Sequence, residues 1–268
     1  MKILIFHASA GHGHRQVAEV IAETFQKRGY SPEEVEVLDA LEFALGFFRK
    51  CYTGVYFSFV KYLPKIWGWF YETLDRPEIY RLLRPFRSLV NRVAGARLLG
   101  EVIRQAPDVI LCTHFFPAEL FAAAKKRGKL KARLVTVITD FYPHTFWVNE
   151  GTDFYWVMSE EGEDDLKRRG VEAGQIRAGG IPVAYEFRPS GRKVEILRKW
   201  NFSKERMTLL LTSGSFGLGS HEALLRAIEP FKDKIQCFVV CAANEKLRKS
   251  LAIQRFGFPV QVFGFVHF

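Results

Sequence analysis

The amino-acid sequence predicts an α/β protein built on parallel, doubly wound sheets. Three observations carry that prediction: short β-branched runs alternate with helical segments along the chain, strands open into Gly-containing loops ahead of a helix, and the composition suits a buried core. Of 268 residues, 48% are apolar and 25% charged, which excludes disordered, collagen-like and disulfide mini-protein classes.

Residues 2–6 form the first expected strand. A lysine precedes it, and Ala8, Ser9 and Ala10 imitate a signal-peptide cleavage site, but the apolar run of residues 3–6 is too short for a secretory signal. A helix follows over about 14–28, then a strand at 35–38, an aromatic-rich region at 43–87 and a basic helical stretch to Gln105. Strands are expected at 109–112, 134–138 and 154–158, with helices at about 117–127 and 160–169. Pro182, Pro189, Ser190 and Gly191 break the pattern over 182–195, which predicts a connection between two domains, 1–187 and 188–268. The second holds strands at 208–212, 235–241 and 260–265 and helices at about 220–228 and 244–251. That is about half of a Rossmann-like domain, so it is expected to be incomplete.

Cys51, Cys112, Cys237 and Cys241 lie in apolar surroundings without C-x-x-C spacing, as buried thiols of a reducing compartment do. The formal net charge is +10, and its distribution is uneven. Residues 43–87 hold 14 of the 39 aromatics and eight Lys/Arg against three acidic residues. Rings beside cations suit the headgroup depth of an anionic membrane, and Lys61, Pro64 and Lys65 interrupt the stretch too often for a spanning helix. The expected membrane contacts are Phe47, Phe48, Arg49, Lys50, Lys61, Lys65, Trp67 and Trp69. The competing reading makes these rings the core of a helical subdomain and the cations its solvated face. Single-stranded nucleic acid also takes rings beside cations, but no compact nucleic-acid motif is present.

Three segments carry chemistry. Ser9, Ala10, Gly11, His12, Gly13 and His14 leave a strand and enter a helix, where glycines permit close backbone approach and an imidazole is positioned as a base. His7, His12 and His14 lack the spacing of a recognised zinc motif, and no metal is expected. Residues 212–220 offer G-x-x-G-x-G with no P-loop lysine, which indicates a generic anion cradle, although such a turn also serves close packing alone. Thr139, Asp140, His144, Trp147 and Asn149 follow a strand, where open parallel sheets bind ligands, although a lone Asp there also serves as a cap or loop brace.

In order, these segments resemble the monogalactosyldiacylglycerol synthase and processive diacylglycerol glycosyltransferase family, which is of the glycosyltransferase family 28 type. The matching pieces are Ser9 through His14, Thr139 and Asp140 with His144 and Trp147, Gly179-Gly180-Ile181-Pro182-Val183, residues 214–219, Val240-Cys241 with Asn244-Glu245-Lys246-Leu247, and Gly264-Phe265-Val266. More distantly the chain is similar to the N-acetylglucosaminyltransferase of peptidoglycan synthesis. The resemblance implies a GT-B fold and inverting transfer of galactose or glucose from UDP-galactose or UDP-glucose to diacylglycerol. The enzyme would be peripheral on the cytoplasmic face of a membrane and would need no metal or other cofactor.

By the same resemblance His14 is the general base, a role that suits an imidazole with an ordinary pKa of about 6.5. Gly11, Gly13, Asp140, His144 and Trp147 fall on the acceptor side. Gly214, Ser215, Phe216, Gly217, Gly219, Asn244, Phe265 and Val266 fall on the donor side. Two departures stand out: Ser213 and Ser215 where relatives carry glycine, and the lack of the family's later Gly-rich segment with an acidic residue, which implies C-terminal truncation. Two other readings fit the residues: a non-catalytic lipid-binding module, and another GT-B sugar-nucleotide enzyme such as an epimerase.

Overall fold

The computed structural model describes all residues except Ala10, Gly11, Arg188, Ser190, Ser215, Phe216, Leu218, His267 and Phe268, and leaves out the side chains of Thr53, Tyr56, Phe57, Val60 and Lys61. The expectations for Gly11, Ser215, Phe216 and the Lys61 side chain therefore lie outside the described residues. The chain divides into two compact units, Met1–Ala184 and Tyr185–Phe268.

The first unit is a six-stranded parallel sheet in the order β2-β1-β3-β4-β5-β6. Its strands are β1 (Ile3–His7), β2 (Val35–Asp39), β3 (Val109–Cys112), β4 (Arg133–Val137), β5 (Phe154–Val157) and β6 (Ile176–Ala178), the last a short strand not anticipated from periodicity. Every residue of β1 is buried, as a strand covered on both faces must be. Its alternation sends Leu4 and Phe6 into a core with Leu98, Val102, Phe116 and Phe121, and Ile3 and Ile5 into a second core with Val17, Ala18 and Ala22. Helix α1 (His12–Lys27) covers the second face, and Gly29, at φ 96°, turns the chain back toward β2.

The aromatic region folds as α2 (Gly46–Tyr62), α3 (Pro64–Leu74) and α4 (Pro77–Ala94). Pro64 and Pro77 stand at the first helical positions, where a missing N–H costs nothing, so they divide the stretch into three rods. Then come α5 (Ala96–Gln105), α6 (Phe115–Lys126) and α7 (Glu160–Arg168). Among the described residues no helix is long and apolar enough to cross a membrane.

The second unit begins with α8 (Lys193–Lys199), which starts inside the stretch expected as a connection; its sequence KVEILRK carries a helical pattern that the neighbouring Pro and Gly obscured. A parallel sheet of β7 (Met207–Thr212), β8 (Ile235–Val240) and β9 (Val260–Phe263) follows, in that spatial order, with α9 (His221–Ala227) and α10 (Glu245–Ala252) between strands. Leu225, Cys237, Val239 and Leu251 form its core. The α/β class with parallel sheets expected from the alternation is the class the chain adopts.

Candidate functional site

In the first sheet β1 lies between β2 and β3, so successive crossovers leave β1 toward opposite sides. Ligand crevices of open parallel sheets form at such a switch point, beyond the carboxyl ends of the strands. His14 follows β1 there, Thr113 and His114 follow β3, and Thr139 and Asp140 follow β4.

These residues close on His14. Its Nδ1 lies 2.7 Å from the Thr113 carbonyl oxygen and 2.9 Å from Thr139 Oγ1. A carbonyl only accepts, so Nδ1 carries the proton and donates it, leaving the lone pair on Nε2. The Thr113 hydroxyl in turn donates to the His14 backbone carbonyl at 2.8 Å, so one residue grips both the ring and its helix. Burial lowers the His14 pKa below 6.5, against the opposing pull of the Thr113 carbonyl and the Asp140 charge. A half-buried imidazole with a fixed tautomer, neutral at physiological pH, is equipped to accept a proton at Nε2.

The His114 ring meets His14 edge-on with centroids 4.7 Å apart, and its own Nδ1 accepts the Phe116 N–H. Burial, followed by repulsion from His14, Arg87 and His7, holds His114 well below the ordinary histidine value. Thr113 and His114 were not anticipated, although they occupy the same strand-end position that drew attention to Thr139.

Asp140 accepts the Trp147 indole N–H at 2.6 Å and the Tyr71 hydroxyl at 3.4 Å. Trp147 is fully buried, with its ring 6.2 Å from His14. His144 is also buried: its Nε2–H donates to the Tyr71 carbonyl at 3.0 Å and its Nδ1 accepts the Phe146 N–H at 3.1 Å. Both ring nitrogens of His144 are thereby committed inside the protein. Gly13 lies in the first turn of α1 and has open space around its Cα.

In the second unit, the donor-side expectations gather beyond the carboxyl ends of β7, β8 and β9. Gly214, Gly217 and Gly219 all have positive φ, at 67°, 57° and 138°. At Gly217 a Cβ would stand 2.1 Å from the Cys241 carbonyl oxygen, so this turn admits only glycine. Asn244 buckles the loop to α10: its Nδ2 donates to the Gly217 carbonyl at 3.0 Å, and its Oδ1 caps the helix by accepting the Leu247 N–H. His221, not anticipated, is buried with Nε2 3.1 Å from Ser213 Oγ, bracing the loop from its other end. Helix α9 has seven residues and so contributes little helix dipole, and the Gly217 N–H closes the turn on the Gly214 carbonyl at 3.2 Å. Phe265 and Val266 are exposed beyond β9.

The expected membrane residues separate by face. Phe47 is 81% and Trp69 67% exposed, and Arg49, Lys50 and Lys65 are also at the surface. Phe48 and Trp67 are half-buried: Phe48 packs on Phe116 with centroids 5.3 Å apart, and Trp67 stacks on Tyr71. They belong to the packed side because helical spacing turns them away from Phe47 and Trp69.

A family model described as monogalactosyldiacylglycerol (MGDG) synthase matches residues 14–183. A processive diacylglycerol beta-glucosyltransferase of Staphylococcus epidermidis is 26% identical over 252 residues, covering 93% of this chain and 62% of that protein. One of Bacillus cereus is 28% identical over 268 residues, covering 99% of this chain and 67% of its own length. Some of the relatives are thus spanned over less than two thirds of their length. Among solved structures, HepE of Anabaena in complex with UDP-glucose superposes with a TM-score of 0.55 at 14% identity, covering 100% of this chain and 70% of that one. MurG of Acinetobacter baumannii gives 0.52 at 12% identity, covering 100% and 68%. The fold these structures share with the chain is GT-B.

Proposed function

The chain belongs to the monogalactosyldiacylglycerol synthase family, and from this we propose that it moves a hexose from a UDP-sugar to the hydroxyl of diacylglycerol at a membrane surface. The observation that carries the proposal is the His14 tautomer. With Nδ1–H bound to the Thr113 carbonyl, Nε2 is the atom that takes the acceptor proton. As the acceptor oxygen bonds to the anomeric carbon, the bond from that carbon to the UDP oxygen breaks. Its electron pair leaves with UDP, and the configuration inverts. The loop that carries Gly214, Gly217 and Gly219, tied down by Asn244, would take the diphosphate, since a turn held in place needs no reorganisation during the reaction. The names of the relatives favour glucose as the sugar, and the name of the family favours galactose.

The lipid side of the proposal rests on α2 to α4. Leu82, Phe86 and Val93 of α4 are 80%, 69% and 56% exposed and share one stripe, with Phe47 and Trp69 exposed on the preceding helices. Soluble monomers rarely leave so much adjoining apolar surface in water. Arg81 and Arg92, also exposed on α4, add the charge that an anionic leaflet attracts.

The test is transfer of radiolabelled UDP-glucose and UDP-galactose to diacylglycerol in anionic liposomes, with His14→Ala beside the parent chain. Product from the parent alone supports the reading and identifies the sugar. Liposome binding without product from either donor overturns transfer by this chain and leaves a membrane-binding module.

A further inference from the structure

Helix α3 has two working faces. Tyr71 and Asp75, the latter its C-cap, lie four residues apart and face the loop of residues 139–147, with Trp67 one turn earlier stacked on Tyr71. Ile66, Trp69 and Phe70, at 50%, 67% and 45% exposure, face outward. On the inner side the Tyr71 ring lies on His144 with centroids 4.1 Å apart, its carbonyl accepts the His144 Nε2–H, and its hydroxyl reaches Asp140. Asp75 accepts the Thr145 N–H and Oγ1–H, both at 2.7 Å, and forms a two-point pair with Arg169 at 2.9 and 2.8 Å. Arg169 is held in turn by Asp165 at 2.7 Å. The other end of this loop is Thr139, bonded to His14 Nδ1.

We propose that Tyr71 and Asp75 are positioning residues for His14, acting through the loop of residues 139–147, so that the seating of α3 sets the geometry of the base. One rigid rod touches the outer surface on one side and, on the other, the loop whose Thr139 holds the base. Contact made by Trp69 and Phe70 with a lipid surface is thereby coupled to His14, and α3 does more than attach the protein. The inference rests on the reading of His14 as the base, and its test does not depend on turnover.

The charged and titratable groups facing His14 are Asp140 from the loop after β4 and His114 from β3–α6, with His7 and Arg87 beside His114. Histidine NMR on the full chain, labelled with 15N, reads both the tautomer and the titration of His14. In the parent the ring is expected as the Nδ1–H form, titrating below 6.5. In Asp75→Ala the loop loosens and water reaches the ring. The tautomers then mix, and the midpoint rises toward 6.5, because relief of burial outweighs the loss of the Asp140 charge. Tyr71→Phe, which keeps the ring and carbonyl and is expected to fold whatever Asp75→Ala does, shows a smaller change in the same direction. Transfer to a short-chain soluble diacylglycerol is expected to fall at least tenfold in Asp75→Ala, with liposome sedimentation unchanged. An unaltered His14 tautomer and midpoint in folded Asp75→Ala, or in Tyr71→Phe should the former not fold, overturns the proposal. Absence of transfer by the parent with altered His14 spectra instead refutes the transferase reading alone.

Discussion

Gly217→Ala tests whether the donor-side loop is held by sterics or is merely glycine-rich. The alanine would have to adopt a φ of 57°, which costs an L-residue about 1–2 kcal/mol. Its Cβ would also stand 2.1 Å from the Cys241 carbonyl oxygen and 2.8 Å from Asn244 Cβ, well inside contact distance of atoms that cannot swing away. Relief requires the loop to move away from Cys241, and that breaks the 3.0 Å bond from Asn244 Nδ2 to the Gly217 carbonyl, worth about 1 kcal/mol. Together these give about 2–3 kcal/mol. Gly214→Ala is the internal control: its φ is 67°, but nothing lies within 4 Å of the added carbon, so it carries only the backbone cost of about 1–2 kcal/mol. Urea unfolding of the full chain, followed by fluorescence, and calorimetric titration with UDP measure both variants. Gly217→Ala is expected to lower stability by at least about 1 kcal/mol more than Gly214→Ala and to weaken UDP at least tenfold. Equal effects of the two substitutions would refute the steric argument.

Further expectations rest on protonation and burial. If His14 is the base, transfer rises with pH through a midpoint below 6.5 and then levels, whereas an acid limb centred above 6.5 contradicts the burial-lowered value. Burial also lowers the pKa of His7, His114 and His144, so below 6.5 the unfolded chain binds protons that the folded chain refuses. Stability should therefore fall as pH drops from about 6.5 to 5, by up to about 1.4 kcal/mol per pH unit for each such histidine, and a flat stability curve over that range contradicts it. Arg87 pairs with buried Glu119 at 2.8 Å and lies over the Phe146 ring at 3.7 Å. Arg87→Ala is expected to cost about 3 kcal/mol at pH 8, and less at pH 5, because burial already pushes the Glu119 carboxyl up and a protonated Glu119 needs no partner. Thermal unfolding at the two pH values checks the sign.

The relation between sequence and structure differs from element to element. Strands such as β1 and β8 were legible because their aliphatic runs are local and bounded by turn residues. Strand β6 was not, since Ile-Arg-Ala has no periodicity of its own and pairs only because β5 presents an edge to it. An interruption at Pro64 was legible, but the division of residues 46–94 into three rods at Pro64 and Pro77 and their inward and outward faces were not. Phe47 and Phe48 are neighbours in sequence, and only packing on Phe116 distinguishes them. Similarly, His144 and Trp147 were found as loop residues, while the Tyr71 carbonyl and the Asp140 carboxylate that engage them came from the fold.

The sequence alone determined the strand–helix alternation, the Gly-rich turns at the strand ends, the aromatic and basic composition of residues 43–87 and the motifs that carry the family likeness. These are properties of neighbouring residues, encoded by backbone preference and apolar spacing over a few positions. Tertiary structure decided which nitrogen of His14 holds the proton, because the Thr113 carbonyl and the Thr139 hydroxyl stand 99 and 125 residues away in the chain. It likewise decided that Asp75 would meet Thr145 and Arg169, 70 and 94 residues distant, and so join α3 to the loop whose Thr139 holds the base. No local pattern specifies such partners: they are chosen when sheet order and helix packing bring remote strand ends together and exclude the water that would otherwise satisfy the same groups.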